Sequence, residues 1–167
     1  MLKSLGYAMK IKNNVFLGVS IIITIIILLS WEIFLPTKII AVHNDREFSS
    51  VLIKHPPLTD TSKIEWWLRN KENLERNFGI PRPASDGFFS VTFWDFGEGY
   101  KEQQKHDQLC FNDMSAQKKC IDKNIIFTIE NDIKGRVNIL IYDGDNYVIK
   151  TDGSFEKYNS NVTISVK

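Results

Sequence analysis

Hydrophobic and polar positions along this chain fall into three regimes, each with its own period. The first runs from Val15 to Trp31, seventeen residues without a charge and dominated by isoleucine (Ile21, Ile22, Ile23, Ile25, Ile26 and Ile27). A helix of that length spans roughly 25 Å. Extending it through Ile33, Phe34 and Leu35 brings it to roughly 30 Å, the thickness of a bilayer hydrocarbon core. Isoleucine nearly all round a helix leaves no polar face to meet water, which argues against a surface helix of a globular domain. Residues 15–35 therefore predict a transmembrane helix, with Trp31 in the interfacial aromatic belt, Glu32 at the headgroups and Pro36 as the stop. A cleaved signal peptide shares the basic flank and the apolar run. Its apolar region is shorter and ends at a small-x-small site, which Ser30-Trp31-Glu32-Ile33-Phe34-Leu35-Pro36 does not offer. A lone Gly18 gives no small-residue face for pairing such helices.

The second regime has the helical period. Ile64, Trp67, Leu68, Leu74 and Phe78 share one face, Ser62-Lys63-Ile64-Glu65 forms a capping box, and Gly79 and Pro81 end the pattern. This predicts one amphipathic helix over residues 62–78. The third regime alternates. Two short strands are expected over 38–43 and 48–54, and His55-Pro56-Pro57 breaks the second. A long strand follows over 88–96, with Phe89, Val91 and Phe93 on one face and Phe88, Ser90, Thr92, Trp94 and Phe96 on the other. Shorter strands are expected near 108–112, 118–121, 125–130, 136–142, 146–151, 154–158 and 162–166, with Asp143-Gly144 and Asp152-Gly153 as turns. One helix among many strands reads as α+β: an antiparallel, meandering sheet with the helix on one face. Parallel β-α-β architecture is not expected, because helices do not alternate with strands.

The order of charges orients the anchor. Lys3, Lys10 and Lys12 precede the apolar run with no acid among them, whereas a mixed set follows it. Excess lysine on a short flank marks the cytoplasmic side. The expected layout is a cytoplasmic tail (1–14), a transmembrane helix (15–35) and a periplasmic α+β domain (36–167). The chain has 21 Lys and Arg, three of them before the apolar run, and 20 Asp and Glu, one of them Glu32. The outer domain is thus close to neutral, which gives no footprint for nucleic acid. Its two cysteines, Cys110 and Cys120, lie in an oxidising compartment under this layout and read as a disulfide. Closing that loop of about eleven residues is worth roughly 2–3 kcal/mol in the chain-entropy picture.

Candidate chemistry is sparse. Asp86, Asp95 and Glu98 are carboxylates near one another in sequence, but each sits at a turn signal. His43, His55 and His106 are scattered, with no pair at i, i+4. Asp143-Gly144-Asp145-Asn146 resembles the start of a calcium loop but lacks the downstream bidentate Glu. No phosphate loop, nucleophile elbow or zinc-protease motif is present, so no cofactor, metal or catalytic residue is assigned.

Aromatic residues carry more information. Trp67 belongs to the apolar helix face. Trp66 points about 100° away and heads a polar stripe with Asn70, Asn73 and Asn77. It is either covered by a loop or the sheet, or an exposed anchor for a partner. The face bearing Phe88, Trp94 and Phe96 lies either under the helix or open as a binding patch. Trp66, Asn70, Phe88, Trp94 and Phe96 are therefore the candidate partner-binding residues.

The segments Pro81-Arg82-Pro83-Ala84-Ser85-Asp86-Gly87-Phe88-Phe89 and Phe93-Trp94-Asp95-Phe96-Gly97-Glu98-Gly99-Tyr100 have a specific look in combination. With Ala41-Val42-His43, Trp66-Trp67, Leu109-Cys110-Phe111 and Cys120-Ile121, they make the chain resemble a family of short enterobacterial inner-membrane proteins classed only as a domain of unknown function. The resemblance covers roughly residues 15–130 and implies a single-pass inner-membrane protein with a periplasmic domain. It supplies no activity and no catalytic residues. The function expected from the whole is non-enzymatic: an anchored periplasmic domain that binds another protein, in one form an immunity protein against an antibacterial toxin. An accessory or sensor component of an envelope complex is the alternative, and a periplasmic hydrolase using unrecognised carboxylates is a third.

Overall fold

The computed structural model describes residues 18–25, 35–104, 107–132 and 135–158. The chain forms two compact units, Met1–Pro36 and Thr37–Lys167. In the first, residues 18–25 are helical, and Val19, Ile21, Ile22, Ile23 and Ile25 turn their apolar side chains outward. The Thr24 hydroxyl donates to the Ser20 carbonyl at 2.9 Å, a bond made within the helix itself. The remainder of the expected span, residues 15–17 and 26–34, lies outside the described residues, as do the tail 1–14 and the strand expected over 162–166. Among the described residues no helix is long and apolar enough to cross a membrane.

The second unit is an α+β domain. Strands β1 (Lys38–Asp45) and β2 (Phe48–Lys54) form a hairpin; helix α1 (Asp60–Phe78) follows, then β3 (Ser90–Asp95). Three short strands, β4 (Lys101–Glu102), β5 (Gln108–Cys110) and β6 (Lys118–Asp122), precede the meander β7 (Ile125–Asn131), β8 (Val137–Ile141), β9 (Asn146–Ile149) and β10 (Phe155–Lys157). The main sheet has seven strands in the order β1-β2-β3-β7-β8-β9-β10, and the small one runs β4-β6-β5. Its pairs are antiparallel with one exception: β2 and β3 run parallel, Val51 opposite Phe93. The helix is the crossover between them. The sheet is therefore mainly antiparallel, as expected, with one parallel β-α-β unit that the expected all-antiparallel meander did not include. Parallel neighbours need a long connection, and residues 55–89 supply it.

Helix α1 starts two residues before its expected position. Thr59, not Ser62, is the N-cap, and Ser62 occupies the third helical position of a reciprocal box. Thr59 Oγ1 accepts from the Ser62 N–H at 3.1 Å, while Ser62 Oγ accepts from the Thr59 N–H at 3.0 Å. Serine takes the place usually given to Glu or Gln there. Gly79 closes the other end in the left-handed conformation, φ +61°.

Val51, Ile53, Val91, Phe93, Phe127, Ile129, Ile139 and Ile141 form the sheet face of the main core, against Ile64, Trp66, Trp67 and Leu74 of the helix. Phe93 and Phe127 stack at 4.3 Å between centroids, and Trp66 and Trp67 meet Phe93 edge-on at 5.6 and 6.0 Å. The opposite face of the same strands carries a second core of Leu52, Trp94, Phe111 and Ile121. There the small sheet lies over the large one. Period-two alternation thus holds in β3, but both of its faces are buried.

Candidate functional site

The small sheet reaches the back of the large sheet through a cross-linked loop. Cys110 and Cys120 face each other across the β5–β6 pair and are joined by a disulfide (S–S 2.07 Å). The loop they close carries Phe111, Asn112, Asp113 and Met114. Phe111 and Met114 pack into the second core. This holds Asp113 over the end of β1, beside His43.

His43 is buried, and both its ring nitrogens are engaged. Nδ1 lies 2.8 and 3.0 Å from the two Asp113 oxygens, and Nε2 lies 2.7 Å from the Tyr100 hydroxyl. A carboxylate only accepts, so Nδ1 donates to Asp113, while Nε2 is occupied by the Tyr100 hydroxyl. The imidazole ring stacks on Phe111 at 3.8 Å with an interplanar angle of 13°. Burial, and then the negative charge of Asp113, push the Tyr100 hydroxyl above its ordinary pKa. The chain Asp113–His43–Tyr100 therefore holds the phenol protonated. A nucleophile or general base needs the reverse shift.

Next to this network is a groove of about 380 Å³, lined by His43, Asn44, Asp45, Phe48 and Ser50 on the sheet and by residues 109–113 on the loop side. Phe48 is 51% exposed and meets Phe88 edge-to-face at 5.9 Å. Phe88 thus supports the rim of the groove, the one expected partner-binding residue that lies beside it.

The other expected partner-binding residues go elsewhere. Trp66 is 7% exposed and Trp94 9%. Neither can act as a surface anchor in this fold, which corrects that reading. Trp66 extends from the flank of the helix over the Phe93–Phe127 stack, because its long indole reaches apolar surface that spacing alone places out of range. Trp94 lies under the small sheet and neither under the helix nor in the open. Phe96 packs in the same second core, edge-on to Tyr100 at 5.1 Å. Asn70 donates to the Trp66 carbonyl at 2.8 Å, a bond internal to the helix.

The three carboxylates considered for acid–base work are occupied locally. Asp86 accepts from the Phe88 N–H, Asp95 from the Gly97 N–H, and Glu98 pairs with Lys101 at 3.1 Å. Asp86 precedes β3 and Asp95 is its last residue, and the strand is about 17 Å long at roughly 3.3 Å per residue, so the two do not converge on one substrate. Asp143-Gly144-Asp145 is the β8–β9 turn, and the Asp145 N–H donates to Asp60 of the helix at 3.1 Å. His55 ends β2, and His106 lies outside the described residues. Among the described residues no group of three His, Cys, Asp or Glu side chains is placed to hold a metal ion.

The network escapes sequence reasoning because His43, Tyr100 and Asp113 lie on β1, before β4 and in the cross-linked loop. The available signal was indirect: the cysteine pair, which fixes where the loop must sit.

Fold and site together describe an α+β domain following an apolar helical segment, with a recess built between a large sheet and a disulfide-closed cap. The chain belongs to the family described as Enterobacterial putative membrane protein (DUF943), whose model matches residues 9–159. The likeness extends past residue 130 and so takes in the β8–β10 meander as well. No curated protein and no solved structure matches the chain.

Proposed function

We propose that this protein is a non-enzymatic binding protein, held in the inner membrane by residues 15–35, with the domain from Pro36 onward in the periplasm, where it engages another protein. The groove beside His43 carries the reading. Its loop wall is tied down by a disulfide, its histidine has no free nitrogen, and its tyrosine is held protonated. Such a recess is rigid and chemically quiet, which suits recognition better than turnover. The family's membrane character supports the anchor, and the lysine-only N-terminal flank supports the orientation. In its specific form the reading is an immunity protein that occludes an antibacterial toxin acting at the membrane or in the periplasm, since inhibition requires only tight and selective occlusion.

Crosslinking in living cells, followed by purification of the full-length protein and mass spectrometry, tests this. One stoichiometric partner whose toxicity rises when this gene is deleted supports the immunity form. Several envelope-complex proteins favour an accessory or sensor component instead. Loss of function with normal folding in Asp86→Ala, Asp95→Ala or Glu98→Ala would return a hydrolase to consideration.

A further inference from the structure

We propose that the groove beside His43 receives an arginine side chain presented by the partner protein; this rests on the binding-protein reading above. Two carboxylates line the groove, Asp45 and Asp113, and no Lys or Arg does. Several acids elsewhere in the domain meet a lysine or arginine: Asp107 meets Lys123, Asp122 meets Lys101, Asp132 meets Arg136, Asp145 meets Lys157, and Glu156 meets Lys150. Asp113 pairs with His43 Nδ1 at 2.8 Å rather than with a Lys or Arg, and its side chain remains 47% exposed. Asp45 has no ion pair among the described residues. Two carboxylates at the edge of one recess that no Lys or Arg lines attract a cation and repel an anion such as a phospholipid phosphate.

The remaining lining selects among cations. The Phe48 ring is half-exposed and braced by Phe88, so it offers an aromatic face for stacking. Asn112 adds an amide oxygen, whereas the Asn44 oxygen already accepts from the Ser49 hydroxyl at 2.9 Å. Carboxylates, an aromatic face and an amide acceptor together match a guanidinium, which is planar, weakly hydrated and donates through a fixed fork; an ammonium is a more strongly hydrated point charge. The groove also abuts an open strand. β1 is the edge of the seven-stranded sheet, so an extended segment of the partner can lie along residues 43–45 while its arginine enters the recess.

The test places a photo-crosslinking amino acid at position 112 of the full-length protein in its own membrane, and in a second strain at the exposed Tyr142, away from the groove. The expected result is a crosslink from position 112 to a partner peptide that contains arginine. Asp45→Arg should lower the yield at least about tenfold, the worth of one charge-assisted hydrogen bond. Changing that partner arginine to Asp should restore the yield in the Asp45→Arg strain. Asp45 makes no side-chain hydrogen bond or ion pair among the described residues, so its replacement should leave the fold intact. A partner captured only from position 142, a position-112 peptide without arginine, or a yield indifferent to Asp45→Arg overturns the proposal and leaves the binding reading standing. Lipid alone, or no protein from either position, overturns both.

Discussion

Replacing Gly144 with alanine tests how the helix is fastened to the sheet. The backbone there is not in the left-handed region, so the effect is purely steric. A methyl group at this position would stand 2.5 and 2.7 Å from the two Asp60 oxygens and 2.8 Å from Ile141 Cγ2. Asp60 accepts from the Asp145 N–H at 3.1 Å and from the Tyr147 hydroxyl at 3.2 Å, the bonds that tie the first turn of α1 to the β8–β9 turn. To admit the methyl group the carboxylate must withdraw, and both bonds are lost. Hydrogen bonds to a charged group contribute about 1.5–3 kcal/mol each when well made. These two are long and partly exposed, so the loss should be about 2–3 kcal/mol in total. Asp60→Ala should cost about 3 kcal/mol, since it also removes an acid from the positive end of the helix. In the Asp60→Ala background Gly144→Ala meets only Ile141 and should cost about 1 kcal/mol, leaving a coupling of roughly 2–3 kcal/mol, the worth of the two bonds. Equilibrium urea unfolding of the full-length protein in mild detergent, followed by tryptophan fluorescence, measures all four corners of the cycle. Equal costs of Gly144→Ala in both backgrounds would refute the reasoning, because the clash would then not act through Asp60.

Three further outcomes are expected. Phe93→Ala, which removes a ring at the junction of Trp66, Trp67 and Phe127, should cost about 3–5 kcal/mol in the same unfolding assay; a loss below about 1 kcal/mol would contradict the packing described. Cys110→Ser with Cys120→Ser should cost roughly 2–3 kcal/mol and open residues 111–119 to added protease, and an unchanged cleavage pattern would count against the loop's dependence on its cross-link. Tyr100 and Tyr147 should ionise later than free tyrosine, Tyr147 because of burial first and then the charge of Asp60. Their neutral forms are the ones the fold favours. The stability they contribute is therefore complete below the unfolded tyrosine pKa and is lost as pH rises through their folded values. Phenolate absorbance should show a late component that shrinks in Tyr100→Phe; an unchanged titration would sink that assignment.

Local rules made several elements legible in advance. The β2 boundaries, the helix up to its Gly79 cap and the disulfide pair all follow from side-chain period, backbone freedom and compartment. What those rules miss is contact between distant segments. The parallel β2–β3 pairing is invisible because a strand buried on both faces reads the same whichever way its neighbour runs. Trp66 is placed on a polar stripe by a 100° step, yet the ring is long enough to cross that angle and reach Phe127. The position of Trp94 depends on a second sheet whose three strands are too short to announce themselves. The His43–Asp113–Tyr100 network exists only once that small sheet is seated. Asp113 is seventy residues from His43 in the chain, and no spacing rule spans that distance.

The lone parallel pairing also sets an order of assembly. Synthesis delivers the β1–β2 hairpin early, and its inner edge, Val51-Leu52-Ile53, is wholly buried in the finished domain. The strand that covers this edge, β3, arrives only after the helix and the Pro81–Phe89 loop have been made. Until then the chain carries an open, apolar strand edge, the kind of surface on which other chains nucleate. Because the covering strand is non-local, its docking is an intrinsically slow step. Truncations that end before β3 should therefore aggregate where the whole domain does not.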